Sequence, residues 1–136
     1  MNEIHTMKSY KKEVSKLIKE EYPYIICHYE AGERAHSAML MVEDGHGFVR
    51  LTWYPNEHWA YISDLSLDEE YRGKGFGDAL MDLVEDIAIV CEFTYLRLEV
   101  RKNSWMHRWY ERLGYRYFSK CEDERYVLLQ QKLNNK

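Results

Sequence analysis

The sequence predicts a mixed α/β domain: a mostly antiparallel sheet with one parallel strand pair, flanked by helices. Three observations predict it. Apolar runs of strand character follow one another at 37–43, 48–54 and 59–67, joined by short turns in the manner of an antiparallel meander. The apolar period then becomes helical over 76–91 and returns to a strand at 95–100,. A strand–helix–strand crossover makes strands 59–67 and 95–100 parallel. With 136 residues, 46% of them apolar, the chain supplies one core and is too short for two. Residues 1–136 therefore read as a single domain.

Each element has its own local reason. Val14, Leu17 and Ile18 form an apolar stripe among lysines and glutamates, which makes the first twenty residues a helix,. Residues 22–29, YPYIICHY, have the tyrosine and isoleucine content of a strand,. SAMLMVE (37–43) and FVRLTWY (48–54) flank DGHG at 44–47, and Asp-Gly between apolar runs signals a hairpin. PNEH (55–58) leads into the strand WAYISDLSL (59–67). From Phe76, apolar side chains recur at 80, 83, 84, 87 and 91, while Asp78, Asp82, Glu85 and Asp86 take the other faces. YLRLEV (95–100) puts Leu96, Leu98 and Val100 on one face of a strand,. Residues 104–113 form a short helix stopped at Gly114,. YRYFSK and RYVLLQQKL make a last strand pair around CEDE (121–124), and NNK is a loose tail.

Charge and cysteine usage exclude several functions. Nineteen Lys and Arg against 23 Asp and Glu give a net charge of −4, which argues against general binding to nucleic acid or to an anionic membrane. No apolar run approaches the ~20 residues of a membrane helix, and MNEIHTMKSYKKEV has no secretory apolar stretch,. Cys27, Cys91 and Cys121 are odd in number and far apart. They read as buried reduced thiols, and cytoplasmic residence is expected. Neither HExxH nor CxxC occurs. Cys27 and His28 point to opposite faces of one strand, so no metal site is expected.

The loop YRGKGFG, Tyr71 to Gly77, carries the chemistry. Its glycines permit a bend closed to bulkier residues. The successive amides of Gly73, Lys74, Gly75, Phe76 and Gly77 can then share one concavity at a helix N-terminus, where the helix dipole adds to the free N–H groups,. Such a nest suits a phosphate, with Arg72 and Lys74 adding charge. Taken alone, the glycines equally make a tight connection. The pattern is neither a dinucleotide fingerprint nor a P-loop, because G-x-G-x-x-G and GK[ST] are both absent,.

The spacing R-x-x-G-x-G at Arg72, Gly75 and Gly77 resembles the pyrophosphate-binding motif of the GNAT superfamily of acyl-CoA-dependent N-acetyltransferases. The stretch LRLEVRKNSWMHRWYERLGY (96–115) is similar to the second half of that family's core, with Asn103, Tyr110, Gly114 and Tyr115 in the family's order. The resemblance spans roughly residues 59–118 and is poor over 1–36.

What the resemblance implies is an acetyl-CoA site between splayed parallel strands. Backbone groups of Leu65, Ser66 and Leu67 would meet pantetheine. Arg72, Gly73, Lys74, Gly75, Phe76 and Gly77 would hold the pyrophosphate. Asn103 would contact the cofactor, though asparagine there is also a common helix cap. Tyr110 would be the general acid toward the departing thiolate, against a structural role for one of twelve tyrosines,.

Two carboxylates compete as base, with a water relay as a third route. Glu99 lies in an LEVR stretch like that of ribosomal-protein N-terminal acetyltransferases; its bland alternative is pairing with Arg97 or Arg101. Asp64 is the rival, and its bland alternative is cross-strand pairing. Arg97, Arg101, Lys102, Arg108, Arg112 and Arg116 make the second half locally basic; they either attract CoA phosphates or an acidic acceptor or, for most of them, form a solvated face with Glu99 and Glu111.

The implied activity is acetyl transfer from acetyl-CoA to a primary amine of a small molecule, peptide N-terminus or lysine. The alternatives are a non-catalytic acyl-CoA sensor and a domain for some other phosphate ligand. Trp53, Tyr54, Trp59 and Tyr61 are either amine-pocket walls or core. Met106 stands where the family often has a small residue. The family's usual opening strand and helix pair is replaced by about twenty helix-like residues. The last strand pair offers a route to a homodimer.

Overall fold

A computed structural model describes residues 7–43 and 45–133. Asp44 of the expected turn, residues 1–6 of the expected first helix and the NNK tail lie outside the described residues. The elements run α1 (Met7–Glu21), β1 (Ile25–Ala31), β2 (His36–Val42), β3 (Gly47–Trp53), β4 (Trp59–Leu67), α2 (Phe76–Val90), β5 (Tyr95–Arg101), α3 (Trp105–Arg112), β6 (Arg116–Lys120) and β7 (Tyr126–Lys132). One 3-10 turn at Glu69–Tyr71 precedes the glycine loop. The seven strands form one sheet in the order β1-β2-β3-β4-β5-β7-β6. Every junction is antiparallel except β4–β5, which is parallel as the crossover requires.

Two local expectations are corrected, and the fold sets the place of the last hairpin, which the sequence left open. β1 begins at Ile25 rather than at 22. The Tyr22 N–H still bonds the Ile18 carbonyl at 2.8 Å, and the Ile25 N–H closes a turn onto the Tyr22 carbonyl at 2.9 Å. Pro23 inside that turn has no N–H to give a ladder. The last hairpin is not appended in chain order: β7 inserts between β5 and β6, pairing Leu98 with Leu129 and Val100 with Val127. That register sets apolar side chains beside apolar side chains. Of the three free cysteines only Cys91 is buried, which pushes its thiol up to about 12, while Cys27 and Cys121 are partly exposed.

The strands bury one parity of residues. Leu40, Leu51, Ile62, Leu98 and Leu129 join Val14 and Ile18 of α1, Leu83 and Ile87 of α2, and Tyr110 of α3 in a single apolar cluster. All three helices feed that one cluster. The opposite face, carrying Met39, Arg50, Tyr61, Arg97 and Glu99, is left without a helix among the described residues.

Two features of β4 position the site. The β4–β5 ladder runs only from Trp59↔Tyr95 to Ile62↔Leu98, although β4 continues to Leu67 and β5 to Arg101. Beyond that point the two strands splay. On its other edge β4 carries a bulge: Arg50 pairs with Asp64 and Leu51 with Ile62, so Ser63 is the extra residue. A bulge restarts the alternation. Leu65 and Leu67 consequently turn toward the helices, and Asp64 joins Tyr61 on the open face.

α3 is started by Ser104, whose hydroxyl accepts the His107 N–H at 3.1 Å. Asn103 is not the cap. It sits one residue earlier at φ +58, its N–H donates to His107 Nδ1 at 2.9 Å and its carbonyl accepts from Arg108 at 3.0 Å.

Two substitutions test this packing by urea unfolding. Leu98→Ala, at the centre of the sheet, should lower stability by about 2–5 kcal/mol. Ser104→Ala should lower it by about 1 kcal/mol, and an unchanged midpoint there would remove Ser104 as the cap.

Candidate active site

The cleft is built where β4 leaves β5. Its floor is Leu65, Ser66 and Leu67; one wall is the loop of Arg72, Gly73, Gly75, Gly77 and Asp78; the other is α3, through Trp105, Met106, Trp109, Arg112 and Leu113. It encloses about 940 Å³, within the usual range for a ligand cleft of ~300–1,000 Å³.

The loop geometry follows from its glycines. Gly73 and Gly75 adopt φ of +74 and +86, the left-handed region that costs other residues strain,. Gly77 is helical, and a Cβ there would lie at ordinary contact distance from Leu67, 3.4 Å, and from Trp109, 3.5 Å. Gly75 caps α2 without a side-chain bond, and the first intrahelical bond runs from the Ala79 N–H to the Gly75 carbonyl at 3.0 Å. The N–H groups of Phe76, Gly77 and Asp78 thus precede the helical ladder, at the positive end of the α2 dipole. An anion is what this end of the cleft attracts. Arg72 braces the bend, its Nε donating to the Leu67 carbonyl at 3.1 Å. Trp109 Nε1 donates to Asp78 Oδ1 at 3.1 Å and ties α3 to the first turn of α2.

Of the residues expected at the cofactor, Leu65, Ser66, Leu67, Arg72, Gly73, Gly75 and Gly77 line the cleft. Lys74, Phe76 and Asn103 are not in its lining. Lys74 lies over the Tyr71 ring at 5.9 Å, and Phe76 meets the same ring edge-on. The α3 wall was missed by the sequence reading except for Met106 and, within the basic stretch, Arg112. Its signal was the spacing 105, 109, 112 and 113, which puts two tryptophans and an arginine on one helical face,.

Tyr110 is 5% exposed. It lies between Trp109 and Tyr115, with ring centroids at 5.1 and 5.8 Å. Its neighbours one turn away, Met106 and Leu113, line the cleft. Burial pushes its hydroxyl up to about 12, so it keeps its proton through the neutral range,.

A second cluster lies on the open face, beyond the splay. Glu99 accepts a hydrogen bond from the Cys121 thiol at 3.3 Å. Its expected pairing with Arg97 or Arg101 is not made. Asp64 does pair across the strands, with Arg50 at 3.7 Å. Tyr61 sits near all of these; burial first, and then Glu99, Cys121 and Asp64, raise its hydroxyl above the ordinary tyrosine value. Trp53 belongs to the core at 2% exposed, stacked on His36 and against Phe93. Trp59, Tyr61 and Tyr54 remain on the open side.

The fold also assembles a group that spacing hid. His46 Nδ1 lies 2.7 Å from Asp68 and 3.7 Å from Glu70, at the foot of the glycine loop. Their ligand-type atoms lie within 4.8 Å of one another, and both acids are exposed.

Among the described residues no helix is long and apolar enough to cross a membrane. Residues 4–115 match the Acetyltransferase (GNAT) family, and no curated protein sequence matches the chain. Several solved structures share the fold. A GNAT family acetyltransferase from Elizabethkingia anophelis, with acetyl-CoA bound, is 15% identical with a TM-score of 0.61 over 81% of this chain and 99% of that one. The PaiA N-acetyltransferase of Thermoplasma acidophilum, in complex with coenzyme A, is 19% identical with a TM-score of 0.60 over 73% and 61%. The ribosomal-protein-S18-alanine N-acetyltransferase of Escherichia coli is 22% identical with a TM-score of 0.58 over 76% and 72%. The family match covers well over half of the sequence: the chain belongs to the GNAT family of acetyltransferases.

Proposed function

We propose that the protein transfers an acetyl group from acetyl-CoA to a primary amine, both held at once. The observation that carries this is the continuity of the cleft. It runs from the free amides at the start of α2, along Leu65–Leu67, to the splay. A long, phosphate-ended ligand fits that path, with its reactive end between Tyr110 on the helix side and Glu99 on the open side.

Acetyl-CoA supplies an acyl carbon activated as a thioester. The chain's residues do the rest. The amides of Gly73, Gly75 and Gly77 hold the diphosphate end, and Arg72 fixes the bend that presents them,. Past Ile62, the β4 backbone has no β5 partner, so groups of Leu65 to Leu67 can bond the amides of an extended arm,. An amine with pKa near ~10.4 arrives protonated at neutral pH. Glu99 is the base in this reading, directly or through one water: its partner is a thiol, whereas Asp64 faces the Arg50 cation,. Tyr110 then gives its proton to the leaving sulfur, which a hydroxyl raised to about 12 is protonated to do.

The acceptor is an amine of a small molecule or of a protein, the latter as in the S18-alanine enzyme. Three free thiols and the need for acyl-CoA support a cytoplasmic location,.

The deciding assay mixes protein, acetyl-CoA and a panel of amines and reads free thiol. Tyr110→Phe should lower kcat by ~10²-fold or more with CoA affinity unchanged; parent-rate turnover would remove Tyr110 as the acid. CoA binding without thiol release from any amine would favour the sensor instead. Gly75→Val, which forces a branched residue to φ +86, should abolish the thermal shift given by CoA,. In the pH profile, kcat/KM should rise as the base loses its proton. It should then stay level to pH ~10, because Tyr110 releases its proton only near about 12,. An alkaline fall near pH ~8 would contradict the assignment.

A further inference from the structure

We infer that Arg97 forms an anion-recognition site on the open face of the sheet, so that the acceptor amine belongs to a molecule that also carries a carboxylate. The identity of that molecule as the acceptor rests on the acetyl-transfer reading above; the anion site does not.

Arg97 stands on β5, two residues before Glu99 and on the same face. Its guanidinium lies 4.2 Å from the Phe118 ring centroid of β6 and 4.9 Å from that of Trp59 on β4, with Tyr95 at 5.8 Å. Its Nε donates to Gln130 Oε1 of β7 at 3.1 Å. Four strands thus fix one side chain. Among the described residues no carboxylate forms an ion pair with it, and the nearest acid along its strand face, Glu99, is bonded to Cys121.

The consequence is chemical. Ring contacts hold the plane of the guanidinium, and the Nε bond fixes its rotation. The two terminal nitrogens keep N–H groups at the edge of that plane, the geometry that a carboxylate meets with two parallel hydrogen bonds. Because the fork is held before any ligand arrives, little ordering cost remains for binding.

The same contacts exclude the amine-cage reading of Trp59. Its face already carries a cation, and an ammonium placed there would meet like charge. The acceptor's ammonium belongs instead beside Glu99 and Asp64, near Tyr61. The open face therefore has a cationic pole and an anionic pole. Two residues along a strand separate them by ~7 Å, a span that suits an amine and a carboxylate on one short chain.

The test uses matched pairs. Calorimetry with CoA present compares 6-aminohexanoate with hexylamine, and a tetrapeptide having Asp second with its Asn counterpart. In the parent protein the acidic member of at least one pair should bind about tenfold tighter, a preference that weakens as salt is added; which pair responds tells a small amino acid from a peptide. Arg97→Gln should erase the preference while leaving the member without the added carboxylate bound as before. Arg97→Lys, which keeps charge without the fork, should retain part of it and serves if the glutamine variant fails to fold. Equal affinities within both pairs, or a preference that survives in Arg97→Gln, would overturn the inference. Thiol release is read in parallel: a preference without any release would leave the anion site standing and sink acetyl transfer.

Discussion

The ladder between β4 and β5 stops after Ile62 and Leu98, and the rest of the site depends on that stop. Backbone N–H and C=O groups of two strands are left facing a gap, where water or a ligand must satisfy them. The stop is held from both sides. On one, the Ser63 bulge of β4 bends it against β3 while keeping Asp64 opposite Arg50. On the other, β5 is fully paired with β7 from Tyr95 to Arg101, so it cannot follow β4 away from the sheet. A parallel pair opened in the middle of an otherwise continuous sheet leaves a gap between β4 and β5, and the cleft lies along the β4 side of it.

The two faces differ because all three helices share one of them. On the helix side, the α2 N-terminus and the Trp105–Trp109 wall of α3 meet at the cleft, joined by the Trp109–Asp78 hydrogen bond. Negative charge is favoured there by a helix dipole and free amides. On the open side no helix covers the strands among the described residues. Glu99, Asp64, Tyr61 and Cys121 gather near the splay, with Arg97 beside them in its ring of aromatics. The family usually walls its acceptor side with a pair of opening helices. Here α1 alone precedes β1 among the described residues, and it packs on the opposite face. In the proposed reaction, acceptor recognition then falls to side chains of the sheet itself.

Tyr110 and Glu99 show how burial divides the chemistry. Tyr110 is packed between two aromatic rings inside the apolar cluster, so its charged form is penalised and its proton retained,. Glu99 is exposed on the other face with only a thiol as partner. Under the proposed assignment, the group that gives a proton and the group that takes one lie on different faces of the sheet.

Much of the fold was legible in the sequence, because strand and helix periods are local. Residues 59–67 gave β4 at its observed bounds, 76–91 gave α2 to within a residue, and the crossover between them required the parallel pair. The glycine loop was legible for the same reason, since left-handed backbone at Gly73 and Gly75 is a property of the residue type. Tertiary structure alone decided what depends on neighbours distant in sequence. It placed β7 between β5 and β6 because Val127 and Leu129 bury best beside Leu98 and Val100. It sent Trp53 into the core, where the strand alternation runs, and left Trp59 outside. It freed Glu99 of its expected arginines by drawing Arg97 toward Trp59, Gln130 and Phe118, residues of three other strands. Local spacing sets which way a side chain leaves the backbone; which partner it then meets is set by packing.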